Sequence, residues 1–245
     1  MGITGAAGLL AAWEAGLAEA PAGRALLLHR AARPDIDAAA LPVLPVGERE
    51  ADLFALRRAL FGDRMQVRLE CAACGSDMEF DLDAGDFARN LDGSRVPGRS
   101  FVQVQQDGWD VEFRLPGVAD LDAAARAADP RAALLARCLV RARHGGSAVS
   151  AEDLPAAVQR RIAEAVEAAD PGADVTLGVN CPECGEATRA ELDIASYLWT
   201  ELDRWARDLL LDVHLLATSY GWSEPEILAL SPLRRRYYLE LCADV

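Results

Sequence analysis

A chain of 245 residues, 51% of them apolar, is long enough for one or two domains with a buried core, which excludes global disorder. Its 25 basic and 39 acidic residues leave a net charge of -14, a field that repels phosphate backbones and argues against a general nucleic-acid binder. Every basic residue is Arg, which beside so much Ala and Gly reads as a GC-rich coding bias and not as chemistry.

The apolar start is not preceded by Lys or Arg and is interrupted at Glu14, so no secretory leader is expected. No uncharged run approaches the ~20 residues that span a bilayer. Position six is Ala6, where myristoylation wants Ser or Thr. The expectation is a cytoplasmic protein that does not enter membranes.

Residues 6–20 and 22–32 read as short helices broken at Pro21 and Pro34, and 41–47 as a Pro/Gly-punctuated link. Over 48–61, Leu53, Leu56, Leu60 and Phe61 fall on one helical face, with Arg57 and Arg58 expected off it. Val67 and Leu69 then alternate with polar residues up to Cys71-Ala72-Ala73-Cys74-Gly75, and Met78 to Leu82 follows: strand, tight turn, strand. A second hairpin is predicted over 100–115 around Asp107-Gly108. Residues 118–143 read as helix with a break at Asp129-Pro130, and 151–169 as another helix ending at Asp170-Pro171-Gly172.

Val175 to Val179 is a short strand leading into Cys181-Pro182-Glu183-Cys184-Gly185, with a strand at about 187–192 beyond. From about 194 to 219, Ile194, Leu198, Leu202, Trp205, Leu209, Val213 and Leu216 make one apolar stripe on a long helix that stops at Gly221. Ser223-Glu224-Pro225-Glu226 is a capping box with an early Pro, and Ser231-Pro232 starts a last helix the same way.

The two Cys-x-x-Cys-Gly turns carry the chemistry. Two intervening residues let one tight turn aim both sulfurs at one ion, and the Gly relieves an unusual backbone angle. Two such turns complete the tetrahedron of soft ligands that Zn²⁺ prefers. The pairs are separated by 106 residues, longer than an ordinary zinc ribbon, but a repeat links them. Setting Cys71 on Cys181 needs no gap: Cys74 falls on Cys184, Gly75 on Gly185, Leu82 on Leu192, Asp83 on Asp193 and Phe87 on Tyr197. Two similar halves facing each other would form a pseudo-two-fold unit around one structural Zn²⁺ held by Cys71, Cys74, Cys181 and Cys184. A thioredoxin-like redox pair should follow a strand and open a helix, whereas each pair here lies between strands. Local disulfides are disfavoured in a reducing cytoplasm. Cys138 and Cys242 lie on helical patterns as buried or incidental thiols.

Catalytic motifs are absent from the sequence: no Gly-x-Ser-x-Gly, no phosphate-binding glycine loop, and three histidines (His29, His144, His214) with no partner at triad or ligand spacing. His214, near the apolar stripe, reads as a core or edge histidine. Asp35/Asp37 and Asp81/Asp83 read as solvated loop and strand residues. A four-thiolate site leaves no open position for water, so a non-enzymatic protein is expected. In the last segment Trp222, Arg234, Arg235, Arg236, Tyr237 and Tyr238 combine the residue types of interface anchors, and they are the candidate partner-binding residues.

These residues, taken with Phe113-Arg114-Leu115-Pro116, Asp120-Leu121, Tyr220-Gly221-Trp222-Ser223-Glu224, Glu226-Ile227-Leu228-Ala229-Leu230 and Arg235-Arg236-x-Tyr238-Leu239, give the chain a resemblance over most of residues 50–242. It resembles the T4-type baseplate, or baseplate hub assembly chaperone, proteins of contractile phage tails and phage-tail-like injection systems. The resemblance implies a structural or chaperone-like role in building a baseplate, with hub or wedge proteins as partners and no catalytic residues. The alternative from the residues alone is a zinc-ribbon nucleic-acid-binding or regulatory adaptor, although such proteins usually carry basic faces. The expected fold is α+β and mostly helical. It comprises a helical region (1–64), a first zinc-ribbon half (65–87), an inserted hairpin-plus-helices segment (88–172), a second zinc-ribbon half (173–193) and a C-terminal helical region (194–245).

Overall fold

The computed structural model describes residues 5–94 and 100–243; the first four residues, weighed above as part of a leader, lie outside them. Among the described residues helices predominate, and the strands form three small antiparallel sheets, an α+β arrangement. The chain divides into two compact units, one of residues up to Pro34 together with Ala195 onward, the other Asp35–Ile194. Helices α1 (Gly5–Leu17) and α2 (Pro21–Ala32) open the chain, with Pro21 at the N-terminal position where its missing N–H costs nothing.

In the second unit a short 3-10 turn, Leu41–Val43, precedes α3 (Val46–Phe61). Its buried face is Val46, Gly47, Glu50, Leu53, Phe54 and Arg57, which corrects the expected stripe. Arg57 is only 1% exposed. Its guanidinium donates to the Gly62 and Arg64 carbonyls at 2.7 and 2.6 Å, so the buried charge is satisfied by backbone oxygens that spacing along one helix cannot reveal. Strands β1 (Arg64–Glu70) and β2 (Asp77–Asp83) pair across the first cysteine turn, and α4 (Ala84–Ser94) follows.

Strands β3 (Phe101–Gln106) and β4 (Trp109–Arg114) form the expected hairpin, with Asp107 and Gly108 at φ +49° and +79°, the double left-handed turn that matches strand twist. Helices α5 (Val118–Ala125) and α6 (Pro130–Cys138) break at Asp129-Pro130, where the Asp129 side chain accepts from the Ala132 N–H. The helix expected to run to residue 143 ends at Cys138. Residues Leu139–His144 are a strand, β5, paired with β4, and β6 (Ser147–Ala148) completes a four-stranded sheet in the order β3-β4-β5-β6. The insertion is thus larger than one hairpin. Val140 favours a strand, and the edge of β4 supplies pairing that outweighs the local helical pattern. Helix α7 (Ala156–Ala169) lays Val158 and Ile162 on the sheet, against Val102, Val104, Val111 and Phe113.

Strands β7 (Thr176–Asn180) and β8 (Ala187–Glu191) pair across the second cysteine turn. The 27-residue α8 (Ile194–Tyr220) follows, then α9 (Glu224–Leu228) and α10 (Pro232–Ala243). The α8 stripe holds: Leu198, Leu202, Leu209 and Leu216 are buried, joined by Trp199 and Ala206. In the first unit Trp13 Nε1 donates to Asp203 at 2.8 Å, and the Arg24 guanidinium lies 4.8 Å over the Trp199 ring. The expected capping box forms, with Ser223 N–H donating to Glu226 at 2.8 Å.

Candidate metal centre

The two cysteine turns fold alike. In the first, Cys71 N–H donates to Ser76 O at 2.9 Å and Gly75 N–H to Cys71 O at 2.8 Å. In the second, Cys181 N–H donates to Glu186 O at 2.8 Å and Gly185 N–H to Cys181 O at 2.9 Å. Gly75 and Gly185 sit at φ +72° and +76°, a region that costs an L-side chain energy, which is why each motif ends in Gly. The likeness extends through the flanking strands: Leu69 faces Met78 as Val179 faces Thr188, and Val67 faces Phe80 as Leu177 faces Ala190. Each second strand delivers a helix, at Ala84 and at Ile194, both fully buried.

The two turns meet. All four sulfurs lie within 4.8 Å of one another, and the cross distances Cys71–Cys184 and Cys74–Cys181 are both 3.7 Å. A tetrahedron with bonds of roughly 2.3 Å has sulfur–sulfur edges of about 3.8 Å, so the spacing fits a thiolate-bound ion and is far too long for disulfides. The first cysteine of each pair is buried and the second exposed, the symmetry expected of facing half-sites. Met78, Leu69 and Val179 pack beneath Cys71 and Cys181 and close the inner side. Backbone N–H groups of Cys74 and Ala73 pull the Cys71 thiol down to about 6, readying a thiolate. Cys74 is pushed up to about 12: the Ser76 N–H pulls it down, but the Cys184 and Cys71 sulfurs outweigh that donor. Four thiols this close release protons in sequence, and a divalent cation would displace them together.

Residues 27–199, well over half of the chain and containing all four cysteines, match the family model described as T4 bacteriophage base plate protein. The chain belongs to that base plate family. No curated protein and no solved structure matches it. The matched stretch stops before Tyr220, so the C-terminal motif that contributed to the resemblance lies beyond it.

In this base plate protein the candidate partner residues separate into two groups. Arg235 is 8% exposed and turned inward, its Nε 3.1 Å from Asp212. Trp222 stacks on Tyr220 with centroids 4.7 Å apart and meets the edge of Tyr238 at 4.8 Å, so these rings pack on their own chain. Tyr237, Arg234 and Arg236 remain exposed. With Leu233 (66%), Tyr237 (62%) and Leu241 (57%), α10 presents an outward apolar row at intervals of four residues, of which only Tyr237 belongs to the Arg-Tyr run expected at a partner surface.

No catalytic grouping emerges among the described residues. His29 is buried, His144 stacks on Trp109 at 4.5 Å, and His214 is exposed on α8, not in its core. Asp81 pairs with Arg64, and Asp83 accepts from the Asp86 N–H at the start of α4. A groove of about 1350 Å³ in the second unit, with Leu121, Leu134, Leu135 and Val166 in its wall, contains neither histidine nor cysteine. Among the described residues three carboxylates are buried: Asp120, Asp170 and Glu50. Asp120 is 1% exposed and accepts from Arg114 at 2.8 and 3.0 Å, Arg137 at 3.1 Å and the Gly117 N–H at 3.0 Å. Burial pushes its carboxyl up, but these donors, led by Arg114, hold it below the usual range. Its position three residues after Gly117 was the available signal, that of a helix-start acceptor. Asp170 accepts from the Gly47 N–H at 2.9 Å, and the burial of Glu50 has no local signature.

Proposed function

We propose that this base plate family member is a non-enzymatic, chaperone-like assembly factor of a contractile tail or injection-system baseplate, stabilised by one structural Zn²⁺ in a zinc-ribbon-like centre. Cys71, Cys74, Cys181 and Cys184 would hold the ion, and Zn²⁺ there supplies a cross-link that ties together two chain segments otherwise 106 residues apart. The observation that carries this reading is the convergence of the four sulfurs, with 3.7 Å cross distances, inside the family-matched region. Four thiols around one point leave no coordination position for water, which supports a structural and not a catalytic ion.

The partner surface in this reading is the outward row Leu233, Tyr237 and Leu241 with Arg234 and Arg236 beside it. Exposed aromatic and aliphatic anchors flanked by Arg are what a hub or wedge protein would cover. A nucleic-acid role gains no support from the first hairpin: Arg64 pairs with Asp81, and Arg68 with Asp77 and Glu79, so its basic groups are neutralised within the chain. The test is co-purification of the hub and wedge proteins with the wild-type chain and with a Leu233→Ser/Tyr237→Ser/Leu241→Ser variant, alongside metal analysis. Retained metal with lost association supports the reading. Association unchanged by the triple substitution, or purified protein without stoichiometric zinc, refutes the corresponding half.

A further inference from the structure

The groove of about 1350 Å³ in the second unit is lined by the faces of two helices. Arg131, Leu134 and Leu135 face it from α6, at the spacing of one helix side. From α7 it is lined between Ala156 and Ala168, about 18 Å of helix axis. Phe113 and Ile162 are buried at it, and Leu121 of α5 lines it while 42% exposed. Sites for small molecules hold roughly 300–1,000 Å³, so this one is larger, and its length matches about three turns of a helix.

Its charges are unbalanced. Arg131, Arg160 and Arg189 line the groove, and among the described residues none of these side chains has a hydrogen-bond or ion-pair partner. Arg126 and Arg143 are the unit's other described arginines in that condition, whereas the surface residues Arg58, Arg64, Arg68 and Arg141 each sit on a carboxylate of the chain. Of the groove's acids, Glu164 pairs with Arg161, Asp170 accepts from the Gly47 N–H at 2.9 Å and Asp174 accepts from the Thr176 hydroxyl at 2.9 Å. Glu167 alone is unpaired, about 10 Å along α7 from Arg160. One solvated Arg on a surface is ordinary. Three beside one apolar floor, in a chain of net charge -14, give the apolar centre and Arg rim of a protein-binding patch.

We infer that this groove receives a helix of another protein, with aliphatic side chains along one face and carboxylates flanking them. Its apolar anchors would cover Leu121, Leu134 and Leu135, and its carboxylates would meet the forked guanidiniums of Arg131, Arg160 and Arg189. Charge selects this occupant. At physiological salt the chain's overall negative field is screened beyond about 8 Å, so the groove's own guanidiniums decide what docks. Residues 95–99, Arg-Val-Pro-Gly-Arg, lie outside the described residues and offer no carboxylate. A second copy would bring the outward row of α10, flanked by Arg234 and Arg236, which is the wrong sign for this groove. It would otherwise bring Leu211 and Leu215 of α8, one turn of apolar surface against about three in the groove. The inference rests on the second unit alone, and neither on the ion nor on α10.

The probe is a rhodamine-labelled helical peptide of about four turns, with leucine at i, i+4, i+7 and i+11 and glutamate beside each. It is titrated with the full chain by fluorescence anisotropy, and amide hydrogen exchange is followed on the saturated complex. Saturable binding that slows exchange in α6 and α7 is expected. A peptide with Lys in place of every Glu should bind at least roughly tenfold more weakly. The Arg131→Glu/Arg160→Glu variant should weaken the glutamate peptide at least roughly thirtyfold, because two attractions become repulsions. Leu121→Ser should weaken it roughly fivefold. These three side chains are exposed, so an unchanged thermal melt is expected and separates lost binding from lost fold. The inference is overturned by the absence of saturable binding, by equal binding of the lysine peptide, by undiminished binding to the double Arg variant, or by slowed exchange confined to other elements. A wild-type dimer that Arg160→Glu dissolves would assign the groove to a second copy, and decanoate binding without peptide binding would assign it to a small amphiphile; either also overturns it. The exchange map and the lysine peptide need no variant, so a variant that misfolds leaves both measurements decisive.

Discussion

Replacing Glu50 by Gln should stabilise the protein at alkaline pH and do little in acid. Glu50 lies on the buried face of α3, 8% exposed. Burial is the largest influence on its carboxyl; the Arg49 guanidinium, 2.9 Å away, opposes it, and Asp193, Glu191 and Asp170 add to it, leaving the group raised from 4.5 to about 7. A folded-state value above the unfolded one means that folding favours the protonated form. The benefit is complete below about pH 4.5, is lost as pH rises through about 7, and stays lost above. The gap of about 2.5 pH units, at about 1.4 kcal/mol each, caps the alkaline penalty at roughly 3 kcal/mol. Gln mimics the protonated group, so Glu50→Gln should gain up to that amount near pH 8, seen as a rise in Tm of roughly 6–10 °C. Near pH 4.5 it should match the wild type within about 0.5 kcal/mol. Denaturant and thermal unfolding at the two pH values measure this. A variant no more stable near pH 8, or equally stabilised at both, would show that burial does not govern this carboxylate.

Cys181→Ser should abolish metal binding and lower Tm by more than about 10 °C, because ion binding and folding are coupled; elemental analysis and a thermal melt read both. Asp120→Ala leaves Arg114 and the Gly117 N–H without their acceptor and should cost about 3–5 kcal/mol in denaturant unfolding, with β4 and α5 losing amide protection first. Gly47→Ala would drive a methyl group into the Asp170 carboxylate and break the 2.9 Å bond from the Gly47 N–H to Asp170; a loss of about 2–4 kcal/mol is expected by the same measurement.

Features carried by short spacing were legible in the sequence. The Cys-x-x-Cys-Gly turns, the Asp107-Gly108 hairpin, the Ser223 capping box and the α8 stripe each depend on residues within a few positions, where backbone preference and periodicity act directly. The gapless repeat at a separation of 110 residues even set two distant half-sites in matching roles, since like sequences make like turns. What tertiary structure decided is what depends on a distant neighbour. Leu139–His144 became a strand because β4 offered an edge, against a helical pattern of its own. Arg57 and Arg235 went inside because the Gly62 and Arg64 carbonyls and the Asp212 carboxylate wait there, and nothing along a helix period announces an acceptor on another element. Glu50 owes its raised carboxyl first to burial by the elements packed on α3, and then to Asp193, Glu191 and Asp170, all more than a hundred residues away in sequence. The sequence by itself therefore determined the turns, caps and ligand types, which are local chemistry. Only the folded chain decided which polar groups are buried and which strand edges are paired, because the free energy of a buried charge or an unpaired backbone group is set by whatever the rest of the chain brings beside it.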